Sequence, residues 1–335
     1  MEHMINNAPL ALVIAFLIIG FVFLIKGADF FVEGSSSIAK RLLVPPIIIG
    51  LTIVAMGTSL PETAVSVTAS MAGNNELAIS NVVGSNIFNL MLVVGICAIL
   101  SSITVQKETI TRDIPFSIIC AVLLLGLGIL ALGDAHTMTL GRLDGIVFLV
   151  LFAGYILLMI RNAMKARTRE TELDREATEM VHEKTRILSW PKSLVFIIGG
   201  AAAIAFGGDM TVDAASRLAI DLGMSQTLVG LTIVSIGTSL PELVTSIVAA
   251  RKNEVDMAVG NAVGSNIFNI LMVLGIASAI NPISLIRENI MDIGILIGFS
   301  LLVWIFAATK RKISWKEGIA MVCLYLAYAV YIILR

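Results

Sequence analysis

The sequence predicts an all-α polytopic membrane protein, with ten transmembrane helices arranged as two inverted-topology five-helix repeats. Three observations carry this prediction. Of 335 residues, 57% are hydrophobic and only 14% charged, with a mean hydropathy of +0.95, whereas soluble domains carry about 25% charged residues. Ten apolar runs are long enough to cross a bilayer core, which takes about 20 residues each. A block of the first half also recurs in the second, 180 residues further on.

The first run, 9–28, has no basic leader and no small-residue cleavage site, so it reads as a retained helix and not a signal peptide. Runs 44–71, 77–101, 114–132 and 143–161 follow it and complete a first unit, residues 1–160. Between the halves lies a linker, 161–191, whose 13 charged residues of mixed sign suit a solvated helix on the cytoplasmic side. Runs 192–209, 225–250, 256–280, 291–309 and 317–334 make up the second unit, residues 192–335. Cys97, Cys120 and Cys323 all fall within apolar runs, where a thiol behaves as a small hydrophobe; they imply no disulfide framework and no metal cluster.

Orientation follows from the basic residues. With the linker in the cytoplasm, alternating ten helices puts 19 of the 23 Lys and Arg at cytoplasmic ends; only Arg142, Arg217, Arg287 and Arg335 fall outside. The positive-inside rule selects this arrangement. The expected location is the plasma membrane, multi-pass, with both termini extracytoplasmic.

Residues 50–95 align with 230–275 without a gap, and 24 of the 46 positions are identical. The shared strings are "GLTIV" at the start, "GTSLPE" at 57–62 and 237–242, and "GSNIFN" at 84–89 and 264–269. The same offset puts Asp29 on Asp209 and Glu33 on Asp213. Five helices per half is an odd number, so the second copy enters the membrane from the opposite side. Inverted repeats of this kind are typical of secondary transporters, with the site at the repeat interface on interrupted helices.

Read alone, "GTSLPE" fits a capping box, Ser59 with Glu62 and Ser239 with Glu242, each with a proline in the first turn. Membrane depth argues for more than a cap. Pro61 and Pro241 cannot donate to the preceding turn, so the second and seventh helices are predicted to break there. Freed carbonyls at that depth are tolerated where they line a cavity, and an intramembrane carboxylate marks an ion or proton path. Helical spacing puts Thr58 and Ser59 on one face with Glu62, and Thr238 and Ser239 with Glu242. Within "GSNIFN", Ser85 and Asn89 form an i, i+4 pair that Asn81 extends by a turn; Ser265, Asn269 and Asn261 repeat the pattern. Gly84 and Gly264 are read as small residues for close packing.

This set is all hard oxygen, and no run contains His, which disfavours zinc, copper and other soft-metal chemistry. Calcium suits it, magnesium less so because it keeps its water, and sodium fits using neutral oxygens with one carboxylate at a time.

Paired "GTSLPE" and "GSNIFN" blocks in inverted halves resemble the alpha-repeats of the cation/calcium exchanger superfamily, in particular its compact prokaryotic sodium/calcium exchangers. The resemblance implies that Glu62 and Glu242 bind calcium centrally and share in sodium sites. It implies hydroxyl or carbonyl ligands at Thr58, Ser59, Ser85, Thr238, Ser239 and Ser265. Ala55 and Ser235 would offer backbone carbonyls to sodium, and Asn89 and Asn269 would flank the middle of the site. Potassium-dependent relatives carry Asp at the position of Asn269, so Asn there implies potassium independence; the family's three-sodium to one-calcium exchange would be electrogenic. The first and sixth helices, with Gly27, Gly34, Gly207 and Gly208, are expected to slide against the rest.

The function expected is therefore a sodium/calcium antiporter working by alternating access, with proton/calcium exchange or potassium-dependent exchange as alternatives. A cation channel fits less well because one inverted pair makes a closed pocket. An intramembrane hydrolase would lack a His base, since His3, His136 and His182 lie outside the runs. No enzyme activity and no cofactor are expected. The expected partners are calcium and sodium ions and membrane lipid, with no nucleic acid and no protein partner evident.

Overall fold

A computed structural model describes residues 4–5, 8–130, 138–177, 187–224 and 235–334. Helix α1 (Leu10–Leu42) is unbroken and about 50 Å long at 1.5 Å per residue. A segmented helix follows: α2 (Pro46–Ile49), a π-helical turn (Gly50–Val54) and α3 (Ala55–Thr58), then a break and α4 (Leu60–Met71). Next come α5 (Asn75–Phe88), a π turn (Asn89–Val93) and α6 (Val94–Leu100). Strand β1 (Ile103–Thr104) leads to a π turn (Thr109–Asp113), α7 (Ile114–Leu130), β2 (Thr139–Leu140) and α8 (Arg142–Ala177).

The second half repeats the plan. It contains α9 (Trp190–Asp221), the short α10 (Ser235–Gly237), α11 (Leu240–Arg251), and α12 (Val255–Phe268) running through a π turn (Asn269–Val273) into α13 (Leu274–Ile280). It closes with β3 (Ile283–Ser284), α14 (Arg287–Ala308), β4 (Lys312–Ile313) and α15 (Trp315–Leu334).

Among the described residues, eight helices are long and apolar enough to cross a membrane, and the bent pair Pro46–Thr58 with Leu60–Met71 makes a ninth span. The remaining predicted run, 225–250, lies partly outside the described residues. Large apolar side chains face outward along these helices, Val195 and Ile198 among them, as a lipid solvent requires. The spans Glu76–Leu100 and Val255–Ile280 are the most enclosed, 78% buried over their most apolar stretch, so they form the centre of the bundle.

Two sequence expectations change. The first and sixth helices are predicted to end at 28 and 209; both continue, to Leu42 and Asp221, and on the first the continuation is buried all round, from Gly34 to Ala39. The linker, read as a solvated helix, begins as one, since α8 carries on to Ala177. Four two-residue strands also stand where only loops were expected, Ile103 pairing with Ile313 in one antiparallel pair and Leu140 with Ile283 in the other. Helix α7 runs between β1 and β2, which puts the two pairs at opposite ends of the bundle. Exchanging the halves carries one pair onto the other.

Helices α1 and α9 pack antiparallel through small residues spaced by seven. A Cβ on Gly20 would lie 3.0 Å from the Gly207 carbonyl, one on Gly27 3.0 Å from that of Gly200, and one on Gly34 2.8 Å from that of Ser193. Only glycine allows this approach. In the second half of α1, Lys252 Nζ donates to the Asp29 carbonyl at 2.9 Å and pairs with Asp29 Oδ1 at 3.4 Å. Lys40 pairs with Glu254 at 3.5 Å, and Ser36 also donates to Glu254.

Candidate cation-binding site

The predicted helix break falls at Ser59 (φ −84°, ψ 13°) and at Ser239 (φ −94°, ψ 4°), with Pro61 and Pro241 in the first turn beyond. The helix axis bends by 49° across the first break. Gly50 and Gly260 let α12 pack against the π turn before that break: a Cβ on either would come within 3.1 Å of the other's Cα. Gly264, as expected, is a packing glycine, and its Cβ would lie 2.7 Å from the Leu51 Cα.

The capping-box geometry is not adopted, because neither serine makes a side-chain cap bond. Each hydroxyl instead crosses to the other half: Ser59 Oγ donates to Glu242 Oε1 at 2.8 Å, and Ser239 Oγ to Glu62 Oε1 at 3.0 Å. The serine of each trio thus bonds to the acid of the other half, and not to the acid three residues along its own helix. Ser239 Oγ also lies 2.9 Å from Ser85 Oγ, and Ser265 Oγ lies 3.5 Å from Glu242 Oε1.

The surrounding polar groups are paired about the same axis. Asn81 Nδ2 donates to Ser66 Oγ at 2.9 Å and reaches the Glu62 carbonyl at 3.4 Å; Asn261 does the same to Ser246 Oγ at 3.0 Å and the Glu242 carbonyl at 3.4 Å. Thr58 Oγ1 lies 3.0 Å from Asn261 Oδ1, and Thr238 Oγ1 3.3 Å from Asn81 Oδ1. The Ala55 carbonyl accepts from the Ser59 N–H at 3.0 Å and lies 3.4 Å from the Thr58 hydroxyl. Ser235 is the first described residue of α10, and nothing is described of its side chain.

Asn89 and Asn269 each open a π-helical turn, the kind of irregularity that gathers at functional sites. Their amide nitrogens are engaged: Asn89 Nδ2 donates to Asn266 Oδ1 at 3.3 Å, and Asn269 Nδ2 to Asn86 Oδ1 at 3.1 Å. The sequence reading missed Asn86, Asn266, Ser66 and Ser246. The signal was available, since all four are identical between the two copies.

Glu62, Glu242, Asn89 and Asn269 are each 0% exposed, and Glu62 Oε2, Glu242 Oε2, Asn89 Oδ1 and Asn269 Oδ1 have no hydrogen-bond partner. Among the described residues no basic side chain pairs with either acid. Two buried carboxylates without counter-charge are strongly unfavourable; a cation supplies what both acids and both amide oxygens lack. A cavity of about 640 Å³ lies beside the breaks, lined by Pro61, Asp209, Asp213, Gly237, Thr238 and Pro241.

The chain matches the family described as sodium/calcium exchanger protein over residues 12–161 and 192–334. It is 42% identical to the putative antiporter CaxA of Alkalimonas amylolytica, over 80% of each chain. It is 32% identical to the sodium/calcium exchanger MaX1 of Methanosarcina acetivorans, over 94% of this chain and 96% of that one. Among solved structures, the sodium-calcium exchanger NCX_Mj soaked with zero Na+ and Ca2+ superposes with a TM-score of 0.81 at 32% identity, covering 98% of this chain and all of the other.

Proposed function

The chain belongs to the sodium/calcium exchanger protein family, and on that premise we propose that it exchanges sodium for calcium by alternating access, independently of potassium and with net movement of charge. The observation that carries the proposal is the set of four buried oxygens on Glu62, Glu242, Asn89 and Asn269 that no protein donor reaches. In this reading both carboxylates hold calcium. Sodium ions occupy the same ground with help from Thr58, Ser59, Ser85, Thr238, Ser239, Ser265 and the main-chain oxygens of Ala55 and Ser235.

Antiport follows from the charge. Two carboxylates confined in a low-dielectric interior resist closure when the site is empty. Calcium neutralises both, and so do sodium ions shared between acids and neutral oxygens, so either load permits the crossing. Competition for one pair of acids then couples the two fluxes. Three sodium ions against one calcium would move one charge per cycle. Asn at position 269 leaves two fixed acids in the site, which favours potassium independence.

We further propose the ten-helix, inverted-repeat arrangement in the plasma membrane with both termini outside; the mirrored hydrogen bonds and the strand pairs at opposite ends support it. The units are 1–160 and 192–335 with a cytoplasmic linker between them. Helices α1 and α9, packed together through their glycine contact, are the moving elements, sliding against the rest of the bundle.

The test is calcium uptake into proteoliposomes under an imposed sodium gradient, with and without potassium, and with a pH gradient in its place. Sodium-driven uptake that is unchanged by potassium and creates a membrane potential is expected. Uptake driven by the pH gradient and indifferent to sodium would refute the proposal.

A further inference from the structure

The orientation of the two site asparagines traces back to another pair, Asn86 and Asn266, which are 0% and 1% exposed and sit in the last turns of α5 and α12. Asn86 Nδ2 donates to the main-chain carbonyl of Asn266 at 3.2 Å, and Asn266 Nδ2 donates to that of Asn86 at 3.1 Å. A main-chain carbonyl can only accept, so these two bonds decide which end of each amide is nitrogen. Their oxygens are then available on the other side: Asn86 Oδ1 accepts from Asn269 Nδ2, and Asn266 Oδ1 from Asn89 Nδ2. That in turn leaves Asn269 and Asn89 with only their Oδ1 atoms unpartnered.

Resting on the cation-site reading above, we infer that Asn86 and Asn266 are positioning residues, each reaching across the repeat interface to hold the opposite half's asparagine with its oxygen, and not its NH2, toward the ion. An amide turned end for end keeps its shape but presents N–H groups, which repel a cation. With Asn86 in place the turned form of Asn269 sets two acceptor oxygens against each other with no proton between them, at two side chains that are both 0% exposed. The lock is built entirely from neutral groups, so it costs the site no charge. It also makes each half's ligand depend on the other half: neither copy of "GSNIFN" orients its own last asparagine.

The test is a double-mutant cycle on the full chain, read both by half-saturating calcium for uptake and by calcium protection of the buried thiols Cys97 and Cys120 from a thiol-reactive dye. Asn86→Ala should raise half-saturating calcium by about 10–100-fold, the usual cost of losing a group that orients a metal ligand. In an Asn269→Asp background both ends of the side chain are oxygens, so orientation no longer matters, and Asn86→Ala should change half-saturation by less than about twofold. In an Asn89→Asp background the full loss should persist, because Asn86 does not hold Asn89. Asn266→Ala should show the mirror pattern, rescued by Asn89→Asp and not by Asn269→Asp. Unchanged half-saturation in Asn86→Ala, or equal losses in both aspartate backgrounds, would overturn the inference. So would failure of both alanine variants to fold in every background, since the residues would then be scaffold. Failure of the exchanger reading has a different signature: the unaltered chain itself would neither take up calcium against sodium nor be protected by calcium.

Discussion

Replacing Glu62 by Gln removes one charge and almost nothing else. The side chain is 0% exposed; Oε1 accepts from Ser239 at 3.0 Å, while Oε2 has no partner. Glutamine has the same volume, keeps an oxygen for Ser239, and puts its NH2 where no protein group is bonded. A unit charge pair about 4 Å apart at an effective dielectric near 20 is worth about 4 kcal/mol, so sodium loses about 4 and doubly charged calcium about 8. At 1.4 kcal/mol per decade, those losses are about three decades for sodium and between five and six for calcium. Exchange should therefore be nearly abolished, and the preference for calcium over sodium should fall by about a thousandfold. The assay is ligand-induced thermal stabilisation in detergent, followed by dye labelling of the buried Cys97 and Cys120. Calcium at 100 times its dissociation constant adds about 2.7 kcal/mol to the original protein and should add nothing measurable to Glu62→Gln at the same concentration. A variant with the original calcium-induced shift, or one that weakens sodium and calcium equally, would refute the electrostatic reasoning.

Three further outcomes follow from the geometry. Gly200→Ala puts a methyl 2.7 Å from the Phe31 amide nitrogen and 2.8 Å from the Gly27 carbonyl, so overpacking should cost about 1–3 kcal/mol; Gly199→Ala, whose methyl meets nothing within 4 Å, should not lower the melting temperature in the same dye assay and should raise stability by up to about 1 kcal/mol. Ser59→Ala and Ser239→Ala remove mirrored hydrogen bonds to Glu242 and Glu62, so each should weaken calcium binding through loss of a bond to a charged group worth about 1.5–3 kcal/mol, and by a similar factor in a binding titration. Ile103→Ala empties a fully buried position in the β1–β4 pair and should lower stability by about 2–5 kcal/mol in thermal unfolding, without changing ion affinity.

Much of the site could be read from the sequence because duplication separates signal from packing. Glu62, Glu242 and the hydroxyls beside them stand in identical strings, and their cost at membrane depth gives a reason for their presence. The partners could not be read. Helical spacing puts Ser59 next to Glu62, and only the break at Ser59 sends it to Glu242 in the other half. Asn86 and Asn266 were as visible as Asn89 and Asn269, yet one copy alone does not reveal which asparagine bonds to which; that pairing lies in bonds between residues 180 positions apart. The long ends of α1 and α9 were missed because hydropathy stops counting where serines and acids begin, although Ser35, Ser36 and Ser37 still pack. The two-residue strands are too short to leave any pattern.

The ties around Lys252 bear on something the site cannot decide for itself. A pocket whose two halves copy each other is indifferent to which face of the membrane it meets. The acids of α1 have their counterparts on α9, Asp29 in Asp209 and Glu33 in Asp213, but Lys252 and Glu254 correspond to Ala72 and Asn74. The residues that make this clasp therefore have no matching pair in the other copy. If the proposed sliding of α1 opens the clasp, then even the modest worth of exposed ion pairs, about 1 kcal/mol, would weight the resting population about fivefold toward the closed arrangement. On the proposed function, a duplicated pocket would thus acquire a preferred side through two residues that the two halves do not share.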